Sequence, residues 1–197
     1  MQVQPLLDRV LVKRDEKDKK TSGGIIIPDT VENPPLQGTV IAVGSGAILP
    51  SGKVRELKLS AGDRVMFSRY AGTSIEVDGD EFLMMGEKDI AAAIVGKGKK
   101  KKLVPLLDKV LVKRDPTQDK TTGGLFIPEQ AQEPPLRGTV VAVGSGALLQ
   151  DGDTRALDVS KDDRVLFNQY AGVEIEFEGE NLMLLSEGEI QARINKE

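Results

Sequence analysis

The chain of 197 residues contains no cysteine, no histidine and no tryptophan. Without Cys there are no disulfides, thiolate metal sites or thiol nucleophiles; without His the commonest general base and the commonest transition-metal ligand are missing. What remains for catalysis is Asp, Glu, Lys, Ser and Tyr, and a carboxylate-only Mg or Ca site is the one metal chemistry left open. No convincing carboxylate pair stands out, so the expectation is a protein that is not an enzyme. Aromatic residues make up only 4% of the chain, so its cores must be built from Val, Ile and Leu. No apolar run approaches the roughly 20 residues needed to cross a bilayer. The N-terminus carries neither a signal-peptide apolar segment nor an Arg-rich transit character. These absences lead us to expect a soluble, intracellular protein with no membrane partner, any organellar leader having been removed. A formal net charge of -4 speaks against a nucleic-acid partner.

The chain is made of one sequence written twice. Residue i and residue i+100 match at about half of the positions from Pro5 to Ile94, without a gap, as in a tandem domain repeat. Pro5-Leu6-Leu7-Asp8-Arg9-Val10-Leu11-Val12-Lys13-Arg14-Asp15 returns as Pro105-Leu106-Leu107-Asp108-Lys109-Val110-Leu111-Val112-Lys113-Arg114-Asp115. Domains are therefore expected at 1–96 and 103–197, joined by 97–102, a Gly-Lys run too polar and self-repelling to pack and read as a solvated linker.

Within each repeat, Gly and Pro interrupt short, often alternating segments rich in Val and Ile, the pattern of an all-β fold. Strands are expected at Arg9–Lys13, Gly38–Val43, Arg64–Ser68, Ser74–Val77 and Glu81–Met85, with partners 100 residues on. Asp78-Gly79 and Glu178-Gly179 mark hairpin turns, because Gly adopts positive φ at no steric cost. The segment from Glu87 to Ile94 reads as a short turn leading into a last strand.

One segment resists a core assignment. From Asp15 to Leu36 the sequence is polar at both ends and carries Gly23-Gly24-Ile25-Ile26-Ile27-Pro28 in its middle, echoed by Gly123-Gly124-Leu125-Phe126-Ile127-Pro128. A core strand is the default for an isolated apolar triplet. Here paired glycines loosen the chain before it, Pro stops a ladder after it, and the flanks are charged or polar. Ile-Ile-Ile becomes Leu-Phe-Ile in the second copy; a packed core resists an added ring, while a groove on a partner tolerates it. Gly23, Gly24, Gly123 and Gly124 then read as loop hinges around an apolar bait.

These motifs together resemble the GroES-type co-chaperonins, from end to end of both repeats. The resemblance rests on the Pro-Leu-x-Asp-Arg/Lys-Val-Leu-Val-Lys opening, the Thr-x-Gly-Gly-(apolar)3 loop, the Gly-Thr-Val-x-Ala-Val-Gly-x-Gly strand, and Tyr70-Ala71-Gly72 with Tyr170-Ala171-Gly172. It implies two irregular β-barrels, each with a mobile loop (Lys17–Pro34 and Pro116–Pro134) and a roof hairpin (Ala47–Lys53 and Ala147–Asp153). It further implies that Ile25, Ile26, Ile27, Leu125, Phe126 and Ile127 dock on a GroEL-type chaperonin, and that Tyr70 and Tyr170 face a chamber holding unfolded client proteins. No cofactor is expected, ATP being used by the partner. The fused pair resembles the double-domain co-chaperonin of plastids, so plastid stroma or bacterial-type cytoplasm is the expected location. A homo-oligomer, or a ring mixed with single-domain co-chaperonins, is the expected assembly.

Rival readings have less in their favour. Gly44-Ser45-Gly46 follows a strand like a dinucleotide turn, but Leu49 stands in place of the third Gly and no helix is expected after it. Asp78, Asp80 and Glu81, with Glu178 and Glu180, fail EF-hand spacing and read as solvated hairpins. The leading alternative is a small β-barrel module binding oligonucleotides or oligosaccharides, which relies on stacking aromatics that this chain largely lacks.

Overall fold

The computed structural model describes residues 3–15, 36–68, 70–96, 101–116 and 136–194. The chain divides into two compact units, with the main boundary between Leu103 and Val104. Of the expected linker, residues 97–100 lie outside the described residues, while Lys102 opens a strand.

The first unit contains β1 (Arg9–Arg14), β2 (Gln37–Val43), β3 (Ala47–Ile48), β4 (Val54–Arg55), β5 (Arg64–Phe67), β6 (Thr73–Val77), β7 (Asp80–Gly86) and β8 (Ile90–Val95). Its main sheet has the order β6-β7-β1-β2-β5-β8, and β9 (Lys102–Pro105) lies along β8 as a seventh strand. β3 and β4 form a separate small hairpin. The second unit repeats the arrangement with β10 (Lys109–Arg114), β11 (Arg137–Val143), β12 (Ala147–Leu148), β13 (Thr154–Arg155), β14 (Arg164–Phe167), β15 (Val173–Phe177), β16 (Glu180–Ser186) and β17 (Ile190–Ile194). Its sheet is six-stranded, in the order β15-β16-β10-β11-β14-β17. Neighbouring strands among β1–β8, and likewise among β10–β17, pair antiparallel.

The expected strands are all present, each within a residue or two of its expected ends. Glu87–Asp89 and Glu187–Glu189 form single 3-10 turns leading into β8 and β17, as expected for that segment. Both two-residue hairpin loops have positive φ at both positions: 53° and 85° at Asp78-Gly79, 52° and 79° at Glu178-Gly179. That is the type I′ geometry whose twist matches the flanking strands.

The core of the second unit joins Val110, Val112, Val140, Val159, Val165, Phe167, Ala171, Met183 and Leu185. Apart from Val159 and Ala171, which lie in connections, these residues come from strands across the sheet, so one sheet face encloses its own core by curling, which makes the unit an irregular barrel. Bulges supply the bend: the register slips between Leu11 and Val12 and between Met66 and Phe67, and again at Leu111/Val112 and Leu166/Phe167. At the end of β1, where it pairs with Arg14, Gly38 is forced, because a Cβ there would stand 2.5 Å from the Lys13 carbonyl oxygen.

Candidate functional site

The residues expected to dock on a partner, Ile25, Ile26, Ile27, Leu125, Phe126 and Ile127, with the hinge glycines Gly23, Gly24, Gly123 and Gly124, all lie outside the described residues. The roots from which those segments leave the barrels are described. In the first unit the chain departs after Asp15 and returns at Leu36, and the two sides meet: the Asp15 amide donates to the Gln37 carbonyl (3.0 Å) and the Phe67 amide to the Leu36 carbonyl (2.9 Å). Arg64, from β5, donates to the Asp15 carboxylate. The second unit repeats each contact: Asp115 amide to Arg137 carbonyl (3.1 Å), Phe167 amide to Leu136 carbonyl (2.9 Å), and Arg164 to Asp115. Arg137 Nε adds a further contact, 3.1 Å from Asp115 Oδ2.

Beside each root an arginine packs over a core aromatic, Arg14 on Phe67 and Arg114 on Phe167, the guanidinium 5.7 and 5.5 Å from the ring centroid. Segments 16–35 and 117–135, outside the described residues, are therefore each flanked by strand ends held in the sheet.

The small hairpins stand where roof hairpins were expected, β3 with β4 and β12 with β13. An ion pair that sequence reading missed ties the first of them down. Glu87, only 2% exposed, accepts from Arg55 on β4 and from the Lys58 amide (2.6 Å). Glu187 does the same for Arg155 and the Asp158 amide (2.6 Å). The signal was available, since Arg and Glu recur at both pairs of positions; what was missing was any hint that residues so far apart in sequence meet.

Gly44-Ser45-Gly46, rejected above as a nucleotide turn, has a structural purpose. The Gly44 amide donates to the Arg9 carbonyl and the Gly46 amide to the Leu7 carbonyl, and a Cβ on Gly44 would lie 2.1 Å from the Leu7 oxygen. The glycines let two stretches of backbone touch.

Tyr70 and Tyr170 are 90% and 91% exposed at the turns between β5 and β6 and between β14 and β15. Three acidic residues of the hairpins have near partners: Asp80 pairs with Lys13 and Glu180 with Lys113, both at 3.0 Å, and Ser74 donates to Glu81 at 2.5 Å. Among the described residues no three carboxylates converge as a metal site would need.

A family model matches the sequence twice. The model described as the chaperonin 10 Kd subunit covers residues 2–94 and again 102–194. This chain belongs to the chaperonin 10 family. It is 38% identical over 191 residues to the chloroplastic 20 kDa chaperonin of Arabidopsis thaliana, covering 96% of this chain and 75% of the plant protein. The chloroplastic 20 kDa chaperonin of Spinacia oleracea matches it equally, at 38% over 191 residues (96% of this chain, 74% of the spinach protein). One repeat suffices for a bacterial relative: the co-chaperonin GroES of Acidithiobacillus ferrooxidans is 52% identical over 94 residues, which is 48% of this chain and 98% of that protein. The tandem form, GroES-like in each half, is thus shared with the plant proteins along nearly the whole chain.

Proposed function

We propose that this chain is a co-chaperonin that caps a GroEL-type chaperonin ring, closing the folding chamber while the partner uses ATP. The observation that carries the reading is the duplicated chaperonin 10 domain, with each loop root pinned to rigid sheet on both sides. The triplets Ile25-Ile26-Ile27 and Leu125-Phe126-Ile127 are the proposed docking contacts. Burying such a triplet gains about 5–9 kcal/mol. Ordering the chain around it costs roughly 1–2 kcal/mol per residue, so a single loop binds weakly. Several loops on one ring multiply affinity by about 10² to 10⁴, and weak individual contacts let the cap leave when the partner changes state.

The same reading includes assembly with further copies of the chain. β8 has β9 along its outer edge, and there Ala92 is fully buried; along β17, for which no outer neighbour occurs among the described residues, Ala192 and Ile194 are exposed. At the other terminus Leu106 and Leu107 are buried, while Leu6 is 70% and Leu7 47% exposed. A second copy laying Val3–Leu7 along β17 covers both surfaces at once. In such a ring Tyr70 and Tyr170 are proposed to face the enclosed client. Bacterial cytoplasm and plastid stroma are the proposed compartments, in keeping with where the relatives come from.

The test is co-sedimentation with a GroEL-type double-ring chaperonin, with and without adenine nucleotide. Wild type should bind in a nucleotide-dependent way, and an Ile26→Ser, Phe126→Ser double variant should lose capture while keeping its melting temperature. Val12→Ser and Val112→Ser, at fully buried positions, serve as controls that lower stability by about 2–4 kcal/mol. Equal destabilisation by the loop substitutions would place the triplets in the core and end the proposal.

A further inference from the structure

The chain contains two Asp-Gly steps, Asp78-Gly79 and Asp151-Gly152. At such a step the glycine amide can attack the preceding side-chain carboxyl group, because glycine puts no Cβ in the way. The fold gives the two steps different surroundings. Asp78-Gly79 is the type I′ loop between β6 and β7, closed by the Val77–Asp80 pair. Asp151-Gly152 lies in the connection from β12 to β13, with Asp151 exposed. The same connection in the first repeat carries Ser51-Gly52 and is held by two backbone bonds, Leu49 amide to Lys53 carbonyl (2.9 Å) and Gly52 amide to Leu49 carbonyl (2.8 Å). Among the described residues neither bond recurs at Leu149 or Gly152; instead the Asp153 amide donates to Asp151 Oδ1 at 3.0 Å. The Gly152 amide is not held by an acceptor, and the Asp151 carboxyl group is folded over the backbone that follows it.

We propose that Asp151 is a site of spontaneous isoaspartate formation, particular to the second repeat. The Gly152 nitrogen bonds to Asp151 Cγ, and the carboxyl hydroxyl leaves with the amide proton as water, closing a five-membered succinimide. Water then opens the ring. Addition at Cγ restores aspartate; addition at the main-chain carbonyl gives isoaspartate, whose backbone runs through the side chain and is one methylene longer. No oxidant or further reactant is required. The hydrogen bond from the Asp153 amide polarises the carboxyl group toward attack, and an exposed loop tip tolerates the ring's backbone geometry. At Asp78 the paired strands on both sides fix the left-handed backbone and oppose it. The longer backbone lies between Leu148 and Thr154, the paired ends of β12 and β13.

The experiment ages the full chain at neutral pH and physiological temperature. Isoaspartate is read by methyl uptake with a protein-isoaspartate methyltransferase and assigned to positions by peptide mass spectrometry. It should accumulate with time at position 151 and stay at its starting level at position 78. Asp151→Ser, the first repeat's residue, and Asp151→Glu, which keeps the charge, should each lose the signal. Ser51→Asp creates an Asp-Gly step beside a bonded glycine amide and should age more slowly than Asp151. In urea, positions 78 and 151 should accumulate isoaspartate alike, because the fold no longer distinguishes them. Equal accumulation at 78 and 151 in the folded chain, or none at 151 under conditions where the urea-unfolded chain forms it, overturns the proposal. A lead of position 151 that persists in urea overturns it as well, since flanking sequence would then set the preference.

Discussion

Glu178 occupies a backbone position that suits asparagine or glycine. Its φ of 52° is left-handed, as is that of its counterpart Asp78 at 53°, and a type I′ turn demands this at both central residues. A short side chain that bonds locally tolerates the region better than a long one. Glu178→Asn should therefore raise stability by about 0.5–1 kcal/mol, read as a higher midpoint in thermal unfolding. The turn itself was legible, because Asp-Gly and Glu-Gly fall between alternating apolar runs. Leu7 and Leu107, with φ of 57° and 52°, gave no such sign. Nothing in a leucine announces a left-handed backbone; the requirement comes from the glycine-rich strand end pressed against it.

Among the elements, the small hairpin and the 3-10 turn are coupled, and differently in the two repeats. Arg55 and Glu87 are nearly sequestered, with side chains 13% and 3% exposed, whereas Arg155 is 44% exposed and has Asp158 at 3.2 Å as a second partner. Removing one member of a buried pair strands the other charge; removing one member of a solvated pair does not. Glu87→Ala should cost about 3 kcal/mol, while Glu187→Ala should cost about 1 kcal/mol or less, compared by urea unfolding of the full chain. Strand positions were readable from periodicity, since alternate burial on a curled sheet leaves its pattern in the residues themselves. The ion pair was not, because its members are brought together only by the closing of the barrel.

For the whole molecule, the unequal termini matter most. In the assembly proposed above, the exposed Leu6 and the exposed Ala192 are surfaces that a second copy covers. An aspartate on either surface places a charge where apolar burial is expected. On that proposal, Leu6→Asp and Ala192→Asp should each lower the sedimentation mass toward that of a single chain, with little change in far-UV circular dichroism. An unchanged mass in both would move the assembly contacts elsewhere.

By itself the sequence determined the all-β class, the tandem repeat and most strand positions, all of which depend on local composition, spacing and self-similarity. Tertiary structure alone decided the coming together of Asp15 with Arg64 and of Arg55 with Glu87, the backbone approach that requires Gly44, and the contrast between buried Ala92 and exposed Ala192. These depend on how the sheet curls and which edges find a neighbour. Two repeats of closely similar sequence therefore have different exposed surfaces.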